Sequence, residues 1–305
     1  AGLCKPEAIK LLVKEIKNNT NLPIHFHTHD TSGTSAASVL SAIDSEVDII
    51  DLAMDSMSGS TSQPAMGSII SIIKDKDNRS TLNESDVRKA SLYWEQVRKN
   101  YHSFESDFKG DSSDVYLHQM PGGQFTNLKE QARSLGITTD KWGKIANIYS
   151  EVNKMFGDII KVTPSSKIVG DMALYMITND LTPKDVLDPK KEISFPSSVV
   201  QFFKGEIGIP VGGFPKDLQK KILGDIEPIK VRPGSIIPPA DFEKEKNNLE
   251  KILNLNITNK MLISYLMYPK VFLDFVEFQK IYGDPSILPT ELFFYGPKTD
   301  QEYSL

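Results

Sequence analysis

The sequence predicts an α/β chain whose first part is built from parallel βαβ units and whose remainder is mainly helical. Three observations carry that expectation. Residues 24–33 read Ile-His-Phe-His-Thr-His-Asp-Thr-Ser-Gly, with histidines at alternate positions of a strand that runs into turn and helix-start residues. Residues 6–73 alternate helix, strand, helix, strand, helix with short connections, the order that parallel βαβ units produce. From Thr126 onward helical periods dominate. A strand that ends in metal-type ligands and turns into a helix is the active-site arrangement of a (β/α)8 barrel. Two strands alone do not close a barrel.

Each element has its own signal. Ala8, Ile9, Leu12, Val13 and Ile16 fall at helical spacing over residues 6–17, and Pro6 suits a first turn. Residues 24–28 form the histidine strand. Thr34 to Asp44 is a helix of small residues, and Val47 to Met54 has the continuous apolar centre of a buried parallel strand. Gln63 to Ile73 is helical. Asp75 to Glu84 is a polar loop, and Val87, Ala90, Trp94, Val97 and Tyr101 trace an amphipathic helix. Residues 102–125 are irregular, with a short strand expected near Val115 to Leu117. Helices follow at 127–135, 141–156, 166–178, 183–187, 197–205 and 216–223. Pro228 to Pro239 is a proline-rich linker. Asp241 to Leu255, 258–267 and 270–281 are helical, and Leu292, Phe293, Phe294 and Tyr295 are strand formers. Trp94 and Trp142 are expected to serve packing, and the charge run Glu243 to Lys246 to line a solvated helix face.

Composition narrows the function classes. A net charge of −5 gives no reason to expect nucleic acid or an anionic membrane as partner. No apolar run has the length of a membrane span. Cys4 is the only cysteine, so an internal disulfide is impossible and a reducing, cytoplasmic setting is expected. The chain opens at Ala1 in mid-pattern, as a piece of a longer protein would.

Three of the five histidines, His25, His27 and His29, share one strand face, where two imidazoles can converge on one divalent ion. The alternative is three core histidines satisfied by backbone carbonyls. Thr163-Pro164-Ser165-Ser166 precedes a helix with the apolar stripe Ile168, Val169, Met172, Ala173 and Met176. Thr163 then lies at a helix N-terminus, which favours anions. Its alternative is an ordinary serine cap with Lys167 in solvent. Met120-Pro121-Gly122-Gly123-Gln124 is a turn signal that could present backbone to a barrel mouth or be a simple tight turn, and Gly212-Gly213 is a tight turn.

Taken together, residues 24–33, Met120 to Leu128 and Val162 to Asp171 resemble the biotin-dependent carboxyltransferases. Within that family they resemble the branch that carboxylates pyruvate. Phe195 to Val200 and Val211 to Pro215 extend the likeness along the chain. The resemblance implies the C-terminal part of a TIM (β/α)8 barrel with a mainly helical C-terminal extension. It divides the chain into distal barrel elements at 1–75, a helical extension at 76–227, and a linker with part of an allosteric, tetramerising domain at 228–305.

The same resemblance assigns roles. His27 and His29 are the metal ligands, for Mn or Zn, with His25 one layer deeper and structural. From its place after the strand, Asp30 is expected to support a ligand from behind or to start the helix rather than to bind the metal. The metal would polarise the pyruvate carbonyl as a Lewis acid. Thr163 passes a proton from the pyruvate methyl to the biotin ureido nitrogen, and Ser166 and Lys167 hold biotin by hydrogen bond and charge. Carboxybiotin arrives on a separate carrier domain, and ATP is used only on a biotin carboxylase domain outside this chain. The assembly implied is a homotetramer.

The family's carbamylated lysine, aspartate ligand and pyruvate-binding arginine are expected upstream of Ala1, and Lys5 is not the carbamylated residue. With two ligands and no arginine, the chain alone is expected to be inactive. An oxaloacetate decarboxylase α subunit or a transcarboxylase subunit shares the barrel and is the second reading. A catalytically silent folding or interface unit is the third.

Overall fold

The computed structural model describes residues 2–74, 80–105, 110–137 and 142–296. It divides into two compact units, residues 1–233 and 234–305.

The first unit opens with α1 (Pro6–Asn19), β1 (His25–Phe26), α2 (Ser35–Asp44), β2 (Ile49–Ile50) and α3 (Met66–Ile73). β1 and β2 are parallel, with His25 opposite Ile49 and Phe26 opposite Ile50. A parallel pair needs a crossover, and α2 supplies it. A further parallel bridge joins Ala53 to Ala65. The hydrogen-bonded strands are shorter than the apolar runs that announced them, because the ladder spans only two residue pairs. The alternation of β1 is nevertheless clear. Phe26 packs with Val39, Ile43, Ile69 and Ile73 on the helix side, and also against Ile9 and Val13 of α1. The imidazoles of His25 and His27 are open on the other face. α1 buries Ile9 and Val13 as its spacing requires, whereas Leu12 is exposed.

The helical part comprises α4 (Glu84–Arg98), α5 (Val115–His118), α6 (Gly122–Ser134), α7 (Trp142–Met155), α8 (Ser165–Thr178), α9 (Pro183–Leu187), α10 (Ser197–Lys204) and α11 (Lys216–Leu223). Asn83 caps α4 by accepting from the Ser85 and Asp86 amides. α9 opens on a reciprocal capping box between Thr182 and Asp185. α6, α7, α8, α10 and α11 enclose one apolar core around the fully buried Tyr149, Phe156, Met172, Met176 and Phe203. All five residues of the stripe expected on α8 are buried. Phe156 and Phe203 meet edge to face at 4.9 Å, inside the favourable range for aromatic pairs. The Lys221 ammonium on α11 donates to the carbonyls of Asp185, Val186 and Asp188, at 3.4, 2.7 and 2.5 Å, and so closes the C-terminal end of α9. Trp142 packs edge to face on Phe125, as a packing residue should. Trp94 does not: it is exposed and meets only the edge of Tyr93 among the ring contacts of the described residues.

The second unit holds α12 (Phe242–Leu253), α13 (Asn259–Met267), α14 (Pro269–Tyr282) and α15 (Thr290–Tyr295), around Leu249, Ile257, Leu262, Phe272 and Val276. Asp241 and Thr258 cap α12 and α13.

Three local expectations are corrected. Residues 115–118 form a helical turn rather than a strand, closed by His118 N to Asp114 O and Gln119 N to Val115 O. β propensity at Val115 and Tyr116 has no ladder partner among the described residues to act upon. Residues 122–124 are the first turn of α6 rather than a free tight turn, because Phe125 N already bonds Pro121 O. Glycine is tolerated there, since first-turn amides lack intrahelical partners in any case. Residues 292–295 are helical: Pro289 precedes the first turn, Glu291 sits within it, and Gly296 at φ +70° ends it.

The packing generates a stability prediction. Phe203→Ala should lower unfolding stability by about 3–5 kcal/mol, read from the urea midpoint, because it empties a fully enclosed site. Val211→Ala, at a fully exposed position, should leave the midpoint unchanged.

Candidate active site

The site is built at the C-terminal ends of β1 and β2. Its register puts Asp51, the residue after β2, beside the histidines of β1: the Asp51 amide bonds Phe26 O at 3.2 Å, and its carboxylate faces both rings. His25 Nε2 is 2.8 Å from Asp51 Oδ1, and His27 Nδ1 is 2.7 Å from Asp51 Oδ2. These two bonds, His25 first, hold the Asp51 carboxyl below the usual carboxylate range. An ionised carboxylate only accepts hydrogen bonds. In the neutral ring of His27 this places the N–H on Nδ1 and leaves a lone pair on Nε2.

That lone pair points at His29. The two Nε2 atoms are 3.1 Å apart, with the rings at 78°. Two nitrogens bound to one ion at about 2.0–2.1 Å lie about 2.8–3.4 Å apart over the range from octahedral to tetrahedral angles. The pair has the spacing of two ligands on one cation, and neutral imidazole suits Zn or Mn among divalent ions. His29 is kept neutral: burial pulls its pKa down to about 4. The residues present thus fit the metal that the sequence resemblance implies, as two of its ligands. Among the described residues no cluster of three or more histidine, cysteine, aspartate or glutamate side chains forms a complete metal cage.

His29 Nδ1 and Thr31 Oγ1 are buried, and neither has a hydrogen-bond partner among the described residues. Both face Gly122, the first residue of α6. A Cβ at Gly122 would collide with His29 Nδ1 and come within 2.9 Å of Thr31 Oγ1. Close approach of backbone to the His29 ring is the physical reason for glycine there. Asp30 accepts from the Ser35 amide at 3.0 Å and so opens α2, in keeping with its expected helix-start role.

The segment 119–124 ties the histidine strand to the helical part. At one side Gly122 touches His29. At another, Lys161 Nζ donates to Gln119 Oε1 at 3.0 Å, anchoring the segment that leads to Thr163. Gln124 lies against α8, where a Cβ at Gly170 would come within 2.5 Å of its Nε2. Thr163 follows Lys161 by two residues and is exposed, its hydroxyl free of hydrogen bonds to the described residues. Val162, Ser165 and Ser166 fold the α8 start tightly: Ser165 Oγ donates to Ile160 O and accepts from Val162 N, and Ser166 N donates to Val162 O. Ser166 is buried, with its carbonyl accepting from Tyr149 Oη. Lys167 is exposed and paired at 2.8 Å with Asp171, which also accepts from Ser198.

The histidine pair is thus brought together directly. Thr163, Ser166 and Lys167 cluster at the start of α8, and the two groups connect through residues 119–124 rather than by contact. Sequence reasoning missed Asp51, Thr31 and Lys161. Asp51 had a usable signal, a carboxylate at the C-terminal end of a strand that the sequence expects to belong to a barrel. Thr31 and Lys161 carried none beyond adjacency to motif residues.

Two predictions follow from this geometry. Gly122→Ala should displace the His29 ring, weakening divalent-metal binding about tenfold or more in chelator competition and lowering stability by about 1–3 kcal/mol. His118 is buried, accepts from the Met120 amide at 2.9 Å, and stacks on Phe125. Burial pulls its pKa from 6.5 to about 4, so the folded state holds the neutral ring. The stability it contributes is complete above about pH 6.5 and is lost as pH falls toward about 4. Urea midpoints of His118→Gln should therefore fall less steeply than wild type across that window.

Comparison with known proteins places these residues in context. The model of the conserved carboxylase domain family matches residues 115–305. Pyruvate carboxylase of Bacillus subtilis (strain 168) is 48% identical over 302 residues, which cover 99% of this chain and 26% of the relative. The carboxyl transferase domain of Rhizobium etli pyruvate carboxylase superposes with a TM-score of 0.94 at 52% identity, covering 99% of this chain and 51% of that one. A structure of the same domain with oxamate and biotin gives the same TM-score and identity. The chain spans about a quarter of the length of the curated relatives it matches. With the family model covering well over half of its residues, the chain belongs to the conserved carboxylase domain family.

Proposed function

We propose that this chain is part of a biotin-dependent enzyme that transfers a carboxyl group from carboxybiotin to pyruvate, giving oxaloacetate. The observation that carries the reading is the convergence of His27 and His29 Nε2 at 3.1 Å, at the C-terminal end of a parallel strand. The names of the relatives favour it over the oxaloacetate decarboxylase and transcarboxylase readings. In this reading β1 and β2 are the last two strands of a (β/α)8 barrel, the helical part to about residue 227 covers its mouth, and the remainder belongs to a tetramerising domain. The parallel pairing and the division of the chain near residue 233 support that layout.

His27 and His29 hold a divalent cation, Mn or Zn, with further ligands contributed from outside this chain. When bound, the cation supplies Lewis-acid polarisation of the pyruvate carbonyl. The rest is done by side chains. The exposed Thr163 hydroxyl gives its proton to the biotin ureido nitrogen as the nitrogen–carboxyl bond breaks, and Thr163 Oγ takes a proton from the pyruvate methyl. The methyl carbon then bonds the released carboxyl carbon. Threonine suits this exchange because it donates and accepts at one atom and is too weak an acid to ionise alone. The positive end of α8 favours the anionic reactants. Lys167 meets biotin by charge, and Ser166 by hydrogen bond. Pyruvate, the biotin carrier domain and a biotin carboxylase domain that uses ATP are the partners, in a homotetramer within a reducing, cytoplasmic compartment.

In the full-length polypeptide, Thr163→Ala should reduce pyruvate carboxylation by about 10²–10⁴-fold. Biotin-dependent ATP cleavage should continue at wild-type rate. Equal loss of both half-reactions would remove the proton-relay role.

A further inference from the structure

We infer that Asp51 is a positioning residue that fixes His27 in its ligand tautomer, and that His25 in turn fixes Asp51. The inference rests on the reading that His27 and His29 hold a cation. Its own support is geometric. Both oxygens of one carboxylate are engaged, Oδ2 by His27 Nδ1 at 2.7 Å and Oδ1 by His25 Nε2 at 2.8 Å. A neutral imidazole has one N–H and two tautomers. With Oδ2 facing Nδ1, the tautomer that would put a hydrogen on Nε2, toward His29, is disfavoured.

His25 gives the arrangement its rigidity. Its bond ties Oδ1, and among the described residues Asp51 does not complete a group of three metal-binding side chains with the histidine pair, so Asp51 acts through His27. The backbone supports the same placement. The Asp51 amide bonds Phe26 O, and the register sets residues 25, 27, 49 and 51 on one face of the two strands. This gives His25 a function in the site although it is one step removed from the histidine pair.

The test compares Zn2+ and Co2+ binding by the full-length wild-type protein with that of Asp51→Asn, Asp51→Ala and His27→Ala, using chelator competition and the Co2+ absorption spectrum. An amide cannot accept from both imidazoles, so D51N should weaken metal binding about tenfold and D51A about 10–100-fold. Both should shift the Co2+ bands, and H27A should bind more weakly than either. D51N keeps the shape of the native side chain and decides the matter should D51A fail to fold. Wild-type affinity and spectrum in D51N, with binding lost in H27A, would overturn the positioning role and leave the metal site standing. Wild-type binding in H27A would overturn both.

Discussion

The parallel pairing of two short strands is the constraint on which the site depends. His25 opposite Ile49 and Phe26 opposite Ile50 is a ladder of two residue pairs, yet it decides which side chains meet. A slip of one residue would turn the histidines toward α2 and bury them against Val39 and Ile69 without partners. The register is held by the opposite face, where Phe26 is locked into apolar clusters on the helix side. Hydrophobic packing beneath the strands thus fixes the polar geometry above them.

From that face the site extends by close contacts rather than by a continuous sheet. The α6 backbone comes near enough to His29 that only glycine fits at residue 122. The same segment reaches the approach to Thr163 through Gln119 and Lys161, and α8 through Gln124 and Gly170. Residues 119–124 therefore act as a joint between a strand that presents imidazoles and a helix start that presents hydroxyls. Substitutions there bear on both ends at once, because protein interiors transmit small displacements instead of absorbing them.

Much of this was legible in the sequence where periodicity is strong. The stripe of α8, the alternation of His25, Phe26 and His27, and the helical α1, α7 and α12 follow from spacing alone. The failures share a cause. Val115–Leu117 and Leu292–Tyr295 have strand-forming residues but lie in short segments whose local hydrogen bonds close as helical turns. Propensity toward strand is expressed only where a neighbouring strand offers a ladder. Gly122 and Gly123 suggested a turn because glycine punctuates chains; here the reason for Gly122 is proximity to His29, which no local pattern encodes. Asp51 was hidden for a similar reason. Its partners are 24 and 26 residues away in sequence, and only the strand register brings them together.

Lys221 shows how narrow chemical tolerance can be at a site with no catalytic part. One ammonium converges three carbonyl oxygens from the closing turn of α9. A tetrahedral ammonium can aim three N–H bonds at three acceptors around a point, while the flat guanidinium of arginine spreads its donors in a plane. Exchanging the two cations would preserve charge and lose the convergence. Acylation of the amine would leave a single N–H for three oxygens, loosening the junction between α9 and α11 without touching the chemistry of the site.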